Sequence, residues 1–379
     1  MLKNYFKSAL RNFTKNKVST VINVLGLSIG ISAALIIFMV IQYDFSFDKY
    51  EPGKNDIYRV VTEGNGWKNQ GVPVPLHQNM QTVSGVQYIT AILQSSDNNT
   101  KISIPNGNNK TAVRFKKQEG IVFTGNSYFS IFPHEWITGN SKTALTNPFQ
   151  VVLSESYARR YFPDISPERL TGQTMVFSDT ILTTITGVVK DLKANSDFDY
   201  NIFISLPTIP AANLNQYYSW DQWGSTNSNF QTIVKLYPHV QAAQINKQIA
   251  TIFKDHSDGD GNDKTIHRLQ SLSDVHTNGD FNAPVDLSTV RNLILLAIFL
   301  LLLGAINFIN LSTAQATQRA KEVGIRKTLG SRKSQLIIQF LSETFLLTLF
   351  TAFLSVAITP LLLKAFTGFI PKGLHFSYL

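Results

Sequence analysis

Three long apolar runs interrupt an otherwise mixed chain, and their spacing sets the expected architecture. Residues 21–42 contain no charged side chain. About 20 residues, each rising ~1.5 Å, cross the hydrocarbon core of a bilayer, so this run predicts a membrane-spanning helix. It is too long for the apolar part of a signal peptide and leaves through Gln42-Tyr43-Asp44-Phe45, with no small-residue cleavage site, which favours a retained anchor. Residues 290–311 form the second run, broken only by Arg291 at one edge and by Asn307 and Asn310 near the other. The third run, 336–366, carries Glu343 in its first part, although 344–363 suffices to span. A charge at the bilayer midplane is costly, so Glu343 is expected at the cytoplasmic interface rather than inside the membrane.

Between the first two runs lies a polar segment, 43–289, long enough to fold around its own core. Its periodicities mix. Ile57–Thr62, Gln150–Leu153 and Thr184–Val189 are rich in β-branched residues and predict strands. Phe230–Tyr237 alternates Phe230, Thr232, Val234 and Leu236 on one face, as a half-buried strand does. Ala242, Ile245, Ile249, Ile252 and Phe253 fall at helical spacing, and Ser154 is placed to cap a short helix ending at Tyr161 before Pro163. Glu63–Asn69, Ser95–Asn109 and His256–Lys264 predict polar loops. The predicted fold class is an α-helical membrane protein with a large extracytoplasmic α+β domain inserted between the first and second transmembrane helices.

Charge adds an orientation. The chain is +9 overall, but the excess flanks the apolar runs. Residues 1–20 hold five basic side chains and no acid, and 312–335 hold six against the single Glu322. Residues 43–289 hold 20 Lys and Arg against 23 Asp and Glu. This is the positive-inside pattern, not the basic face of a nucleic-acid-binding domain. It puts 1–20 and 312–335 in the cytoplasm, 43–289 and 367–379 outside, and the chain in the cytoplasmic (inner) membrane. Leu2, Tyr5, Phe6, Ala9, Leu10 and Phe13 share one helical face, with Lys3, Lys7 and Arg11 off it, which predicts an amphipathic helix on the inner leaflet, in contact with membrane lipid.

Inside the first span, Gly26, Gly30 and Ala34 stand four residues apart. Such a stripe lets helices approach closely in a bilayer, although Gly and Ala are common in spans in any case. The cytoplasmic segment runs Arg319-Ala320-Lys321-Glu322-Val323-Gly324-Ile325-Arg326-Lys327-Thr328-Leu329-Gly330. Gly330 reads as a helix stop and Ser331 as the cap of the next helix, leaving a short charged helix held between two spans. That suits docking of a cytoplasmic partner, and by composition alone it equally suits a positive-inside anchor.

Candidate chemistry is sparse. The chain has no Cys, which excludes disulfides, thiolate metal sites and cysteine nucleophiles. Its seven His are scattered without metalloprotease spacing, and no nucleophile-elbow Ser is present. Asp258-Gly259-Asp260-Gly261-Asn262-Asp263 begins like a calcium loop but has Asp263 at the turn-glycine position and Leu269 in place of the bidentate Glu, so it reads as a solvated loop. Trp220 and Trp223 read as buried anchors rather than a binding surface. No phosphate loop occurs, since Gly330-Ser331-Arg332-Lys333-Ser334 lacks its glycine pattern.

Several stretches resemble one family, the MacB/FtsX/LolC-type permeases of ABC transporters. Ala9–Lys17 followed by Asn23–Gly30 is similar to its opening; Asp44–Tyr50 and Asp56–Val60 to the start of its outer domain; Val152–Phe162 and Ile185–Asp191 to the middle of that domain. Glu322-Val323-Gly324-Ile325-Arg326-Lys327-Thr328-Leu329-Gly330 resembles its inner-loop signature most specifically. The resemblance implies a non-catalytic permease subunit with a MacB-like periplasmic core domain and an FtsX-like permease domain. It implies four spans, so that this chain would stop before its fourth. Glu322, Val323, Gly324, Ile325, Arg326, Lys327, Leu329 and Gly330 would form the coupling element on a separate ABC ATPase subunit, with no cofactor in this chain and ATP-Mg on that partner. A second permease half or a homodimer, and a periplasmic adaptor, complete the implied partners. The implied activity is mechanotransmission for export or efflux of peptide, lipoprotein or drug. The alternative is an FtsX-like regulator that activates an extracytoplasmic partner without transport.

Overall fold

The computed structural model describes residues 17–95, 100–106, 110–256, 265–330, 332–366 and 368. In chain order the principal elements are helix α1 (Lys17–Asp44), strands β1 (Ile57–Gly64), β2 (Trp67–Asn69), β3 (Val86–Gln94), β4 (Ile102–Asn106), β5 (Lys110–Phe115), β6 (Ile121–Thr124), β7 (Trp136–Thr138) and β8 (Gln150–Ser154). Helix α2 (Glu155–Tyr161), strands β9 (Thr174–Phe177), β10 (Ile181–Val189), β11 (Ile202–Ser205) and β12 (Phe230–Leu236), helix α3 (Ala242–His256) and strand β13 (Ile266–Ser271) follow. Two long helices close the described chain, α4 (Leu287–Thr328) and α5 (Lys333–Ala365). The chain divides into two compact units: Ser46–Asp286, and the residues before and after it. The amphipathic segment expected at 2–13 and the acidic loop at 258–263 lie outside the described residues.

The Ser46–Asp286 unit is built on a mixed sheet in the order β13-β1-β12-β3-β6-β11-β8-β10-β9-β4-β5, with β2 added to β1 and β7 to β10. The β8–β10 and β6–β11 pairs are parallel. Both faces of the sheet are covered. Val60, Leu93, Phe123, Val151, Ile185 and Ile204 join one apolar cluster, against which Ile245 and Ile249 of α3 pack. Ile57, Ile92, Val122, Val152, Phe203 and Ile233 join the other.

This double coverage corrects the reading of Phe230–Leu236. The visible alternation of Phe230, Val234 and Leu236 belongs to one cluster, while Ile233 serves the other, so the strand is buried on both faces. Two expected loops are also partly strand. Glu63–Asn69 is a hairpin in which Gly64 pairs with Trp67 around the two-residue turn Asn65-Gly66, with Gly66 at φ +78°. Gly66 takes the positive φ of the turn without a Cβ penalty. The Ser95–Asn109 stretch contains β4, which pairs with β5.

Ser154 stands at the cap position of α2, but its hydroxyl donates to Asn201 Oδ1 at 3.0 Å. The helix start is capped instead by Asp191, whose carboxylate accepts the Ser156 N–H at 3.2 Å. Trp220 and Trp223 pack half-buried against the core, with Trp223 stacked on His256 at 4.4 Å.

The other unit contains three helices long and apolar enough to cross a membrane: α1, the Leu287–Gln315 part of α4, and α5. Their polarity is inverted relative to a soluble bundle. The buried face of α1 holds Asn23, Ser28, Gly30 and Ser32, and that of α5 holds Glu343, Thr351, Ser355 and Thr359 among Leu336, Leu347 and Leu363. The exposed faces hold Ile22, Leu25, Ile29 and Phe38 on α1, and Leu341, Phe345, Phe350, Phe353 and Leu361 on α5. Helices that gain nothing by hiding apolar side chains from lipid associate instead through small residues and hydrogen bonds, which is the arrangement found. α1 and α4 extend past both ends of their predicted apolar runs, while α5 begins three residues early, passes through Pro360 and ends one residue short, because the helical hydrogen-bond ladder is indifferent to hydropathy.

Candidate functional site

The segment expected to form a separate short helix between two spans does not do so. Residues 312–328 continue α4 without a break, so the helix is 42 residues long. Nothing in the sequence stops it earlier: Gly324 is a mild cost of about 1 kcal/mol relative to Ala, and no Pro intervenes. The stop comes where expected. The Leu329 N–H still bonds to Ile325 O at 3.1 Å, the Gly330 N–H closes on Lys327 O at 3.2 Å, and Gly330 adopts φ +92°. A left-handed residue at this position satisfies the last helix carbonyls, and glycine takes it without a Cβ penalty. Ser331, the expected cap of the next helix, lies outside the described residues, and Arg332 occupies the cap position of α5. Its N–H is satisfied by Gln335 Oε1 at 3.2 Å.

The tip of α4 therefore presents a defined surface. Ile325 and Leu329, one turn apart, are 53% and 80% exposed. Lys327, Gly324 and Gly330 are exposed beside them, and Val323 and Arg326 are half-buried. Glu322 lies on the same helix, with its side chain outside the described part. An exposed apolar pair next to a lysine is suited to an amphipathic, acidic partner groove.

Arg326 turns inward. Its Nη1 donates to Gln339 Oε1 of α5 at 3.1 Å, and Gln339 Nε2 donates to Glu343 Oε1 at 3.2 Å. Glu343 is only 6% exposed. Glu343 stands about 15 Å along α5 from its first residue, on the inward face of the helix. Gln339 carried no sequence signal, since a single Gln in an apolar run declares neither its partner nor its face.

The glycine stripe of α1 lies against α4. A Cβ on Gly30 would sit 3.1 Å from the Leu300 carbonyl oxygen, and one on Gly26 would sit 3.1 Å from Asn307 Nδ2. Gly304 of α4 lies opposite, where a Cβ would sit 3.7 Å from Gly26 O. Ala34 completes the stripe, half-buried. The Gln315 amide also donates to Ser19 Oγ between the same two helices.

A second polar constellation lies in the Ser46–Asp286 unit, where its first, middle and last segments meet. Asp48 is 4% exposed and accepts from the Ser196 hydroxyl and, at 3.3 Å, from the Asp197 N–H. Asp197 Oδ1 pairs with His276 Nδ1 at 2.9 Å, and the His276 ring stacks on Phe47 at 3.8 Å. Burial pushes Asp48 up to about 6 and Glu51, also 4% exposed, up to about 7. Nearby, Arg59 is 3% exposed and reads three side-chain amides: Gln270 at 2.8 Å, Gln70 at 3.1 Å and Gln231 at 3.3 Å. Burial lowers its guanidinium to about 10. These contacts tie entry, middle and exit of the domain together.

Residues 20–252, more than half of the chain, match the MacB-like periplasmic core domain, and 294–379 match the FtsX-like permease C-terminal domain. The chain belongs to the MacB/FtsX family of ABC transporter permeases. Among its relatives, the macrolide export ATP-binding/permease protein MacB of Acinetobacter baylyi is 23% identical over 382 residues, covering 94% of this chain and 51% of that protein. MacB of Vibrio parahaemolyticus is 21% identical over 356 residues, covering 90% and 49%. The chain thus spans about half the length of the curated MacB proteins it matches. The solved periplasmic region of MacB from Actinobacillus actinomycetemcomitans is similar at 18% identity and a TM-score of 0.41, over 58% of this chain and 90% of that one. The FtsX-like match takes in most of α4, all of α5 and the tip between them; the MacB-like match takes in nearly all of α1 and the following domain through most of α3.

Proposed function

We propose that this chain is the permease component through which ATP hydrolysis on a separate ABC ATPase subunit drives a conformational change in an extracytoplasmic domain, serving export or efflux of peptide, lipoprotein or drug. The supporting observation is the continuity of α4: one helix runs from Leu287 at the exit of the inserted domain to a basic, partly apolar tip sealed by Gly330. Glu322–Gly330 is the coupling element. Ile325 and Leu329 enter a groove on the ATPase, and Lys327 meets acidic groups at its rim. ATP and magnesium belong to that subunit, because the chain carries no phosphate loop.

The chain resides in the cytoplasmic membrane with the Ser46–Asp286 domain outside, as the basic flanks of the spans direct. A second permease half, or a second copy of this chain, and a periplasmic adaptor complete the assembly. The test is a pull-down of the membrane-embedded chain with its ATPase, with and without Glu322–Gly330 replaced by a polar linker. Binding by the intact chain alone supports the assignment. Equal binding by both versions, or by neither, defeats it.

A further inference from the structure

Arg326, Gln339 and Glu343 form one directed polar line. It starts in the last turn of α4, crosses to α5, and ends on the inward face of α5. The direction is fixed by the amide in the middle. A Gln side chain has one acceptor end and one donor end, so it satisfies a guanidinium on one side and a carboxylate on the other in a single orientation. Reversing it sets donor against donor and acceptor against acceptor. Glu343 then opens a row on α5, spaced by four residues, that continues through Leu347, Thr351, Ser355 and Thr359. Within this row Thr351, Ser355 and Thr359 return their hydroxyls to the carbonyls one turn back, and the Ser355 carbonyl accepts from Ser32 of α1 at 3.1 Å. Tip, α5 and α1 are thereby joined through polar contacts in surroundings where an unmade hydrogen bond is costly.

We infer that the Arg326–Gln339–Glu343 line passes displacement of the α4 tip into α5, with Gln339 as a positioning residue and Glu343 as the point where the inward face of α5 takes up the movement. The inference rests on the assignment of the tip as the coupling element. A purely structural line would hold the α4–α5 hairpin together, and cutting it would weaken folding or ATPase docking. A transmitting line, once cut, leaves docking in place and removes the response to ATP.

The absence of Cys from the chain allows a clean measurement. Cysteines introduced at the exposed positions Leu295 of α4 and Phe353 of α5 carry a label pair, in the full chain held in lipid nanodiscs with its ATPase. ATPase affinity without nucleotide and the ATP-driven change in label distance are both read for Arg326→Ala, Glu343→Gln and their combination, each with Gln339 and with Gln339→Leu. Residues acting through one line show strongly non-additive effects.

Gln339→Leu and Glu343→Gln are each expected to shift the ATP-driven equilibrium by about 10-fold while leaving ATPase affinity within about 2-fold; Arg326→Ala, which lies in the docking element itself, is expected to shift the equilibrium by the same factor, and the combinations to go no further. If Glu343→Gln does not insert, Gln339→Leu alone carries the same expectation. Multiplying effects of about 100-fold in the double substitution, an unchanged response, or loss of ATPase binding in Gln339→Leu or Glu343→Gln would overturn the inference and leave the docking assignment standing. No binding by the unsubstituted chain would instead remove the docking assignment, and the inference with it.

Discussion

Ser32 donates its hydroxyl to the backbone carbonyl of Ser355 at 3.1 Å, joining two helices whose contact residues are 323 positions apart in the chain. The acceptor is a carbonyl already engaged by the Thr359 hydroxyl, and Ser355 spends its own hydroxyl on Thr351 O at 2.7 Å. The two helices are thus held by small side chains brought close enough for backbone groups to take part. On its α4 side, α1 makes a comparably close approach through Gly26 and Gly30.

Gly30→Ala is expected to destabilise the helical unit by about 1–3 kcal/mol, because the new Cβ meets a backbone carbonyl that cannot turn aside. Gly26→Ala should cost less, since its obstacle is the end of the Asn307 side chain, which can rotate. Unfolding in detergent, monitored for both variants, checks the order. Equal losses would mean that the α1–α4 approach is not set by Gly30.

At the tip, Gly324 has open space around its Cβ position. Gly324→Ala is expected to leave ATPase binding intact and to favour the helix by about 1 kcal/mol, whereas Gly324→Pro adds about 2 kcal/mol of propensity cost over Gly and breaks α4 before its tip. Binding measured on both variants decides. An uncoupled alanine variant, or a fully coupled proline variant, would contradict a rigid helical coupling element.

The Ser46–Asp286 unit has its own two-faced core and is expected to fold when produced alone. Within it, Arg59→Met should cost about 3 kcal/mol in urea unfolding, because two buried amides and the half-buried Gln70 amide lose a charged donor together. A loss below about 1 kcal/mol would show that the amides find other partners.

Stability of this unit should depend on pH through Glu51. Its folded value of about 7 lies above the ordinary 4.5, so the folded state holds the proton more tightly than the unfolded chain does. The resulting penalty is absent below about 4.5, grows as pH rises, and is complete above about 7, at no more than about 3 kcal/mol. Asp48, raised to about 6, acts in the same sense; His77, lowered to about 4 by burial, acts in the opposite sense between 4 and 6.5. Glu51→Gln should therefore flatten the decline in melting temperature between pH 5 and pH 8. An unchanged pH profile would place Glu51 in water.

The sequence disclosed those features that a single segment must settle for itself. A bilayer demands some 20 apolar residues in a row, so α1, α4 and α5 are legible from composition alone. The Asn65-Gly66 turn is a local signal too, but the short exposed strand that follows it, Trp67–Asn69, lacks the apolar alternation that marks a hairpin arm. Features that depend on distant segments left no trace. Arg59 finds partners 11, 172 and 211 positions away, and Asp48 meets Ser196 at a separation of 148. Periodicity on β12 showed one of two cores because an observer of one strand cannot see what covers its other face. At the tip of α4 the residues and the stop at Gly330 were readable. The uninterrupted helix behind them, and the Gln339 and Glu343 side chains that meet Arg326, emerge only when α4 and α5 are set side by side.

The unbroken α4 has a mechanical meaning. A helix of 42 residues is about 63 Å long and contains no joint at which a push could be absorbed. Tilting such a lever by 10° about its midpoint displaces each end by about 5 Å, in opposite directions, which is close to one helical turn. A small rocking of the tip would then reappear undiminished at Leu287, where the inserted domain hands the chain back to the membrane.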